Sequence, residues 1–312
     1  MIEESAVRAV FERSMGIRPD ESCLIITDTV KEPLARPFLE YGRRIVRECR
    51  MEVMEPLKIN GEEPPKEVAD LMSGYDVQLL ITEKSLTHTK ARIKASDQGS
   101  RIASMPGITE DIINRSLDVD YREMGMISKR LEEVLKHGKR VRVTTGLGTG
   151  IDIDIGLGLH PDTGILDKPG MVGNLPAGEV SFAPEGVNGV FVSDASIPGL
   201  GKLGSPITFR VLGGKVHDIE GERSGDLEGI LDKVGPRAYR IAELGIGTNP
   251  KARITGVTLE DEKVLGTCHI ALGNNLSYGG TNDVPLHMDC VIKDPTILVD
   301  GREIMKKGKP KF

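Results

Sequence analysis

The sequence has no tryptophan, and its 312 residues include only 5 tyrosines and 6 phenylalanines. So few aromatic side chains leave little material for the stacking platforms that bind single-stranded nucleic acid. Positive charge is also in deficit, because 41 lysines and arginines stand against 47 aspartates and glutamates, which gives a net charge of −6. We therefore do not expect a protein that binds nucleic acid by neutralising phosphates.

Long hydrophobic runs and clustered cysteines are lacking as well. The longest uncharged segment, 264–282, is interrupted by glycine, asparagine and histidine, and it cannot be a membrane span. The acidic N-terminus is not followed by the apolar segment of a secretory signal peptide. The four cysteines show neither CxxC spacing nor a dense framework. We therefore expect a reduced, cytoplasmic protein.

The length and the glycine distribution predict two domains. In residues 1–145, strand patterns at 23–28, 52–57, 77–82 and 101–105 alternate with helical patterns. The helices include 118–137 and one with Pro37 near its start, and this alternation predicts an α/β, Rossmann-like domain with a doubly wound parallel sheet. Residues 146–312 hold 29 of the 37 glycines and many short strand patterns. They predict a glycine-rich α+β metal-binding catalytic domain, in which a helix at 226–244 is kinked or split at Gly235-Pro236.

The segment 286–290 carries the best local signal for chemistry. On a strand, successive side chains alternate between faces. His287 and Asp289 then share one face, while Leu286, Met288 and Cys290 share the other. An imidazole and a carboxylate converging on one point suit a metal ion. An exposed polar face of an edge strand explains the same short pattern.

Other candidate ligands are scattered through the same half, and each has an ordinary structural explanation. His269 lies in an apolar strand, where a histidine can simply hydrogen-bond backbone in the core. Glu179 follows a Pro/Gly turn and could be a surface residue, and Glu262 could be a solvated turn residue. Glu243 is predicted at the end of a helix, where the helix dipole disfavours a carboxylate unless a cation compensates it. Together these residues offer a mixed imidazole and carboxylate set that suits Zn²⁺, Mn²⁺ or Co²⁺ and can hold two ions.

Four stretches carry a resemblance that spans most of the chain. They are 174–180 (NLPAGEV), 242–249 (AELGIGTN), 261–273 and 287–289 (HMD). In their order and composition they resemble the aminopeptidase T / aminopeptidase S family of dinuclear metallo-exopeptidases. The resemblance implies a homodimer and two divalent metal ions (Zn, Co or Mn) in the C-terminal domain. The ligands it implies are Glu179, Glu243, Glu262, His269, His287 and Asp289, with Glu260 as a rival to Glu262, and Tyr278 is the local candidate for the family's catalytic tyrosine.

A second relative keeps another function open. The 2,5-dihydroxypyridine 5,6-dioxygenases resemble this family and hold one Fe(II) with two histidines and one aspartate, which His269, His287 and Asp289 also fit. The first hypothesis is a metallo-aminopeptidase in which two ions activate a water and Glu179 or Glu243 is the general base. The alternative is a mononuclear non-haem Fe(II) dioxygenase that cleaves a hydroxylated, pyridine-like aromatic ring. A non-catalytic metal-binding homologue is a third class.

Two further residues are predicted to contact substrate. His88 and Arg92 follow the predicted strand 77–82 and should lie at the carboxyl edge of the parallel sheet, where ligands bind in such folds. They could contact a carboxylate of the substrate. A solvated turn at the beginning of a helix explains the same residues.

Overall fold

The structure, a computed structural model, describes all residues from Met1 to Phe312. The chain forms two compact units, one of residues 1–123 and 163–177 and the other of residues 124–162 and 178–312. The predicted boundary at residue 145 falls inside the segment 124–162. That segment belongs to the second unit because its apolar side chains, among them Leu131, Val141 and Ile153, enter the core of that unit.

Twenty strands are formed. They are β1 (Ser22–Asp28), β2 (Glu48–Met54), β3 (Val77–Ile81), β4 (Arg101–Ser104), β5 (Arg140–Thr144), β6 (Gly150–Asp154), β7 (Leu157–Asp162), β8 (Val172–Asn174), β9 (Glu179–Ala183), β10 (Gly186–Ser193), β11 (Ser196–Ile197), β12 (Gly201–Lys202), β13 (Ile207–Leu212), β14 (Lys215–Glu220), β15 (Ile241–Gly247), β16 (Cys268–Gly273), β17 (His287–Ile292), β18 (Thr296–Val299), β19 (Arg302–Lys306) and β20 (Lys309–Pro310).

The α-helices are fewer. They are α1 (Glu4–Arg8), α2 (Glu32–Ile45), α3 (Lys66–Met72), α4 (Lys90–Asp97), α5 (Glu110–Ile112), α6 (Tyr121–His137), α7 (Ser224–Val234) and α8 (Thr258–Asp261). Two π-helical turns, Ala9–Ser14 and Ile113–Leu117, extend α1 and α5, and 3₁₀ turns are formed at Pro236–Tyr239 and Leu276–Tyr278. None of the helices combines the length and the apolar character needed to span a bilayer.

The first unit is built on a parallel sheet. Its five strands follow the order β2-β1-β3-β4-β8, and every neighbouring pair is parallel. Strands β1 and β3 are buried at every residue, as is typical of parallel strands covered on both faces. Leu24, Leu80 and Ile102 are among the side chains of its core. The predicted fold class is confirmed, with this α/β parallel sheet followed by strand-rich antiparallel sheets.

The second unit contains two larger sheets whose paired strands are antiparallel. One has eight strands in the order β14-β13-β10-β6-β5-β18-β19-β20, and the other has five in the order β17-β16-β15-β9-β7. Both sheets contribute to one hydrophobic core, for example through Phe191 and Phe209 from the first and Phe182 and Ile270 from the second. The five-stranded antiparallel sheet therefore has one apolar face that is fixed by packing.

The predicted helix 226–244 is wrong in its second half. Helix α7 ends at Val234, because Gly235 adopts a φ of 103° and Pro236 has no N–H to continue the ladder. The chain then enters strand β15, which pairs with β9 and β16. Glu243 consequently lies within a strand and not at a helix C-terminus, so the argument from the helix dipole does not apply to it.

Two smaller predictions shift along the chain. Helix α2 begins at Glu32 with Pro33 in its first turn, so Pro37 lies inside the helix and not near its start. The strand predicted at 52–57 is formed at 48–54, because those residues pair in register with all of β1.

Candidate metal centre

The face of the five-stranded antiparallel sheet opposite the hydrophobic core carries the candidate ligands, most of them buried. In the register of β15, β16 and β17, Gly245 pairs with His269 and Ala271 pairs with Asp289. Side chains alternate along each strand, so Glu243, His269, His287 and Asp289 share one face. Met288 and Cys290 enter the hydrophobic core from the opposite face, which confirms the predicted alternation of residues 286–290. Glu179, the first residue of β9, pairs with Gly247 and joins the polar face.

Two groups of ligand atoms meet at this face and share Glu243. One consists of Glu179, Glu243 and His269 and the other of Glu243, His287 and Asp289, and within each group the atoms lie within 4.8 Å of one another. His269 is buried, yet the partners of its Nε2 are carboxylates. Its Nε2 is 3.4 Å from Glu243 Oε1, 3.5 Å from Glu179 Oε2 and 3.8 Å from Asp289 Oδ1.

The second imidazole completes the cluster. His287 Nε2 is 2.9 Å from Glu243 Oε2 and 3.2 Å from Asp289 Oδ1. Its Nδ1 is 2.8 Å from the carbonyl oxygen of Asn274. When one ring N–H of a histidine donates a hydrogen bond to a backbone carbonyl, the other ring nitrogen is available to a metal ion. This is the usual arrangement around metal-bound imidazoles.

The spacing of these atoms fits one ion. Ligand atoms about 2.1 Å from a common ion lie roughly 3.0–3.4 Å apart in octahedral or tetrahedral geometry. The separations of 2.9–3.8 Å around His269, His287, Glu243 and Asp289 bracket that range. Glu179 Oε2, in addition, is buried without a hydrogen-bond partner, as expected for an atom that faces a cation. The residues present therefore fit a divalent metal.

The electrostatics of the cluster favour positive charge at the two Nε2 positions. Burial lowers the pKa of His269, but the hydrogen bond that its Nε2–H donates to Glu243 and the charges of Glu179 and Asp289 outweigh it and raise that pKa to about 9. Burial raises the pKa of the Glu243 and Asp289 carboxyls, yet the two imidazoles hold both below their usual range. A divalent ion bound at these atoms would gain the same stabilisation.

Glycines on the polar face make room for the cluster. A Cβ at Gly245 would lie 2.1 Å from Nε2 of His269, so the imidazole passes directly over β15 at this residue. A Cβ at Gly247 would lie 2.2 Å from the carbonyl oxygen of Val264. The Gly-Ile-Gly sequence that follows Glu243 thus lets an imidazole and a backbone segment approach the sheet.

The structure places Glu262 beside a residue to which the sequence assigns no role. Lys263 Nζ is 2.8 Å from Glu262 Oε1 and 2.6 Å from Glu179 Oε1. Burial lowers the pKa of Lys263, but Glu179, Glu262 and Asp162 outweigh it and raise the pKa well above its usual value. The ammonium therefore stays charged inside the unit.

The rival Glu260 is engaged elsewhere. Its carboxylate accepts hydrogen bonds from the Arg253 N–H and the Thr255 hydroxyl. It belongs to neither group of converging ligand atoms.

Tyr278 lies at the edge of the same face. Its hydroxyl is 3.1 Å from Ser181 Oγ, and it also interacts with Glu243. Burial, followed by the charges of Glu243 and Glu179, raises the pKa of Tyr278 well above its usual value, so the phenol keeps its proton. Ser181 is a site residue that the sequence reasoning missed, although its place two residues after Glu179 on β9 is a signal that alternation offers.

His88 and Arg92 belong to the first unit. His88 is exposed, and Thr89 caps helix α4 directly after it. The Arg92 side chain donates hydrogen bonds to the Thr87 carbonyl at 2.5 Å and to Ser96 Oγ at 3.4 Å. Their contact with substrate stays a prediction.

The comparisons with known proteins indicate an enzyme, and the polar cluster offers residues that could bind a metal ion. The family model for NicX, 2,5-dihydroxypyridine 5,6-dioxygenase, matches residues 50–311, and the chain belongs to this family. No curated protein sequence matches the chain.

Two solved structures share the fold. 2,5-Dihydroxypyridine dioxygenase from Pseudomonas putida KT2440 superposes with a TM-score of 0.84 at 16% identity, covering 100% of this chain and 98% of the other. Wild-type AmpT from Thermus thermophilus superposes with a TM-score of 0.72 at 15% identity, covering 99% of each chain. The resemblance to aminopeptidase T is thus supported at the level of fold, while the family is that of the dioxygenase.

Proposed function

We propose that the protein is a mononuclear non-haem Fe(II) dioxygenase that opens a hydroxylated, pyridine-like aromatic ring. The observation that carries the proposal is the convergence of His269, His287 and Asp289 on one polar face. Two imidazoles and one carboxylate are the ligand set typical of Fe(II) oxygenases. The family model and the superposition with the Pseudomonas enzyme support the same reaction class.

In this proposal the chain positions the reactants. The three ligands would hold the iron, which supplies open positions for O₂ and for an oxygen of the ring. Glu243 lies 3.4 Å from Nε2 of His269 and 2.9 Å from Nε2 of His287, so its carboxylate would face the same ion. Tyr278, which keeps its proton, is positioned to donate a hydrogen bond to a substrate oxygen, and Ser181 orients the phenol. Tyr278 would then act as a hydrogen-bond donor to the substrate at the edge of the site.

A specific observation favours a second candidate, the metallo-aminopeptidase. Glu243 belongs to both groups of ligand atoms, and its two oxygens face different imidazoles. A carboxylate in this position can bridge two ions, which would activate a water for hydrolysis, with Glu179 as general base. The superposition with AmpT supports this candidate at the level of fold.

One assay on two substrates separates these candidates. Protein loaded anaerobically with Fe(II) is given 2,5-dihydroxypyridine and O₂, and protein loaded with Zn²⁺, Co²⁺ or Mn²⁺ is given aminoacyl-p-nitroanilides. We expect O₂ uptake that matches ring consumption, its loss in Asp289→Asn, and its retention in His217→Ala, which removes an exposed histidine on β14. Peptide hydrolysis without O₂ uptake would overturn the proposal.

Two other expectations accompany this function. All four cysteines are unpaired and buried, which is compatible with the proposed cytoplasmic location. The homodimer stays a prediction that the mass of the protein in solution tests.

A further inference from the structure

Lys263 occupies an unusual position for a lysine. Its side chain is only 3% exposed, and its Nζ lies 2.6 Å from Glu179 Oε1, 2.8 Å from Glu262 Oε1 and 4.0 Å from Asp162 Oδ2. A buried ammonium needs compensating charge and hydrogen bonds, and here carboxylates provide both. The ion pair lies inside the second unit and not at its solvated surface.

The ammonium also lies directly beside the metal cluster. Glu179 connects the two, because its Oε1 contacts Lys263 while its Oε2 faces His269 Nε2 at 3.5 Å. Two-metal sites place their ions about 3.5–4 Å apart and share carboxylates between them. Glu179 and Glu262 would be natural ligands of the second ion in such a pair, and both bind the lysine.

We propose that the Lys263 ammonium takes the place of a second divalent cation, so that the centre holds a single ion. The inference rests on the proposed mononuclear function and gives it a structural cause. The lysine neutralises Glu179 and Glu262 in part, and it binds the Glu179 oxygen that does not face His269. Glu243, His269, His287 and Asp289 remain for the one ion.

Backbone contacts hold the lysine in this position. The Lys263 N–H donates to the Glu260 carbonyl at 2.9 Å, and its carbonyl accepts from the Asn249 N–H at 2.8 Å. The segment also presses against β15, where a Cβ at Gly247 would lie 2.8 Å from the carbonyl carbon of Lys263. These contacts fix the backbone from which the Lys263 side chain reaches Glu179 and Glu262.

The test counts metal ions, which does not require a substrate. Chelator-treated protein is reloaded with excess Zn²⁺ or Mn²⁺, passed over a desalting column and analysed for bound metal. We expect one ion per chain in the wild type and in Lys263→Arg, and two in Lys263→Ala, in which Glu179 and Glu262 become free. Lys251→Ala, which removes an exposed lysine in the same unit, is the matched control and should bind one ion. In Mn²⁺-loaded Lys263→Ala, the electron paramagnetic resonance spectrum should show coupling between two ions.

A second variant tests the proposal independently, in case Lys263→Ala does not fold. Glu262→Gln keeps the lysine, and the proposal expects an unchanged stoichiometry of one ion at excess metal. A loss of metal in Glu262→Gln would overturn the proposal, because Glu262 would then be a ligand.

The remaining outcomes separate this inference from the proposed function. Two ions in the wild type would overturn both the role of Lys263 and the mononuclear centre. One ion in both the wild type and folded Lys263→Ala would overturn the role of the lysine alone. The ring-cleavage assay is independent of either count.

Discussion

The two faces of the five-stranded antiparallel sheet are formed by the same strands but differ in chemical character. One face contributes Phe182, Ile270 and Met288 to the hydrophobic core, and the other presents the carboxylates and imidazoles of the candidate metal centre. Both faces are largely buried, since Glu243 and His269 are almost as inaccessible as Ile270. Burial is favourable on the first face and costly on the second unless charges are compensated.

The packing of the apolar face holds the site in place. It fixes the strand register, and the register determines which polar side chains meet on the other face. The metal centre therefore depends on residues that contain no ligand atom. Substitutions on the two faces should separate these contributions, because one set should change metal binding and the other should change stability.

The largest effect is expected on the polar face from Gly245→Ala. The added methyl group would lie 2.1 Å from His269 Nε2, so the imidazole must leave its position. Displacing a ligand should cost more than the roughly 10–100-fold in affinity typical of residues that only support one. Competitive titration with a chromophoric chelator measures this. Gly229→Ala, where the added Cβ meets no atom within 4 Å, is the control and should bind metal normally. Normal binding by Gly245→Ala would show that His269 is not a ligand.

On the apolar face, Ile270→Ala should reduce stability and leave metal binding intact. Ile270 is completely buried, and such truncations cost about 2–5 kcal/mol in the free energy of unfolding. Urea unfolding of the metal-loaded protein measures the loss, and metal analysis below the transition checks the stoichiometry. Leu212→Ala, at a side chain that is 68% exposed, should change stability by no more than about 0.5 kcal/mol. A fall in metal content for folded Ile270→Ala would show that the faces are not separable.

Strand alternation explains how much of this sheet the sequence could predict. The residue types of 286–290 alternate strictly, so the two faces of β17 follow from local pattern alone. The strand at 241–247 does not follow from local pattern. Its apolar residues continue the helical periodicity of α7, so the sequence predicts a helix where β15 is formed after Gly235-Pro236. The strand character of β15 depends on pairing with β9 and β16, which are distant along the chain.

Lys263 illustrates what local pattern cannot show. Adjacent glutamate and lysine residues usually lie in a solvated turn, and nothing in 262–264 distinguishes this pair. Its burial arises from the bridge between Asn249 and Val264, and its partner Glu179 is 84 residues away. The candidate ligands could be named from motifs, but their charge balance required the tertiary structure.

The smallest effect is expected from Cys290→Ala, at a residue that neighbours Asp289 but lies on the apolar face. Burial and the nearby Asp289 carboxylate raise the pKa of the Cys290 thiol well above its usual value, so it stays protonated at neutral pH and is not a thiolate ligand. A buried free cysteine behaves as a small hydrophobic residue, so its loss should cost about 1 kcal/mol. Metal affinity should be unchanged, and the Co²⁺-loaded wild type should lack a sulfur-to-metal charge-transfer band. Iodoacetamide should label this thiol only after unfolding, because the raised pKa and the core packing both protect it. A charge-transfer band that disappears in Cys290→Ala would place sulfur in the metal centre and end the distinction between the two faces.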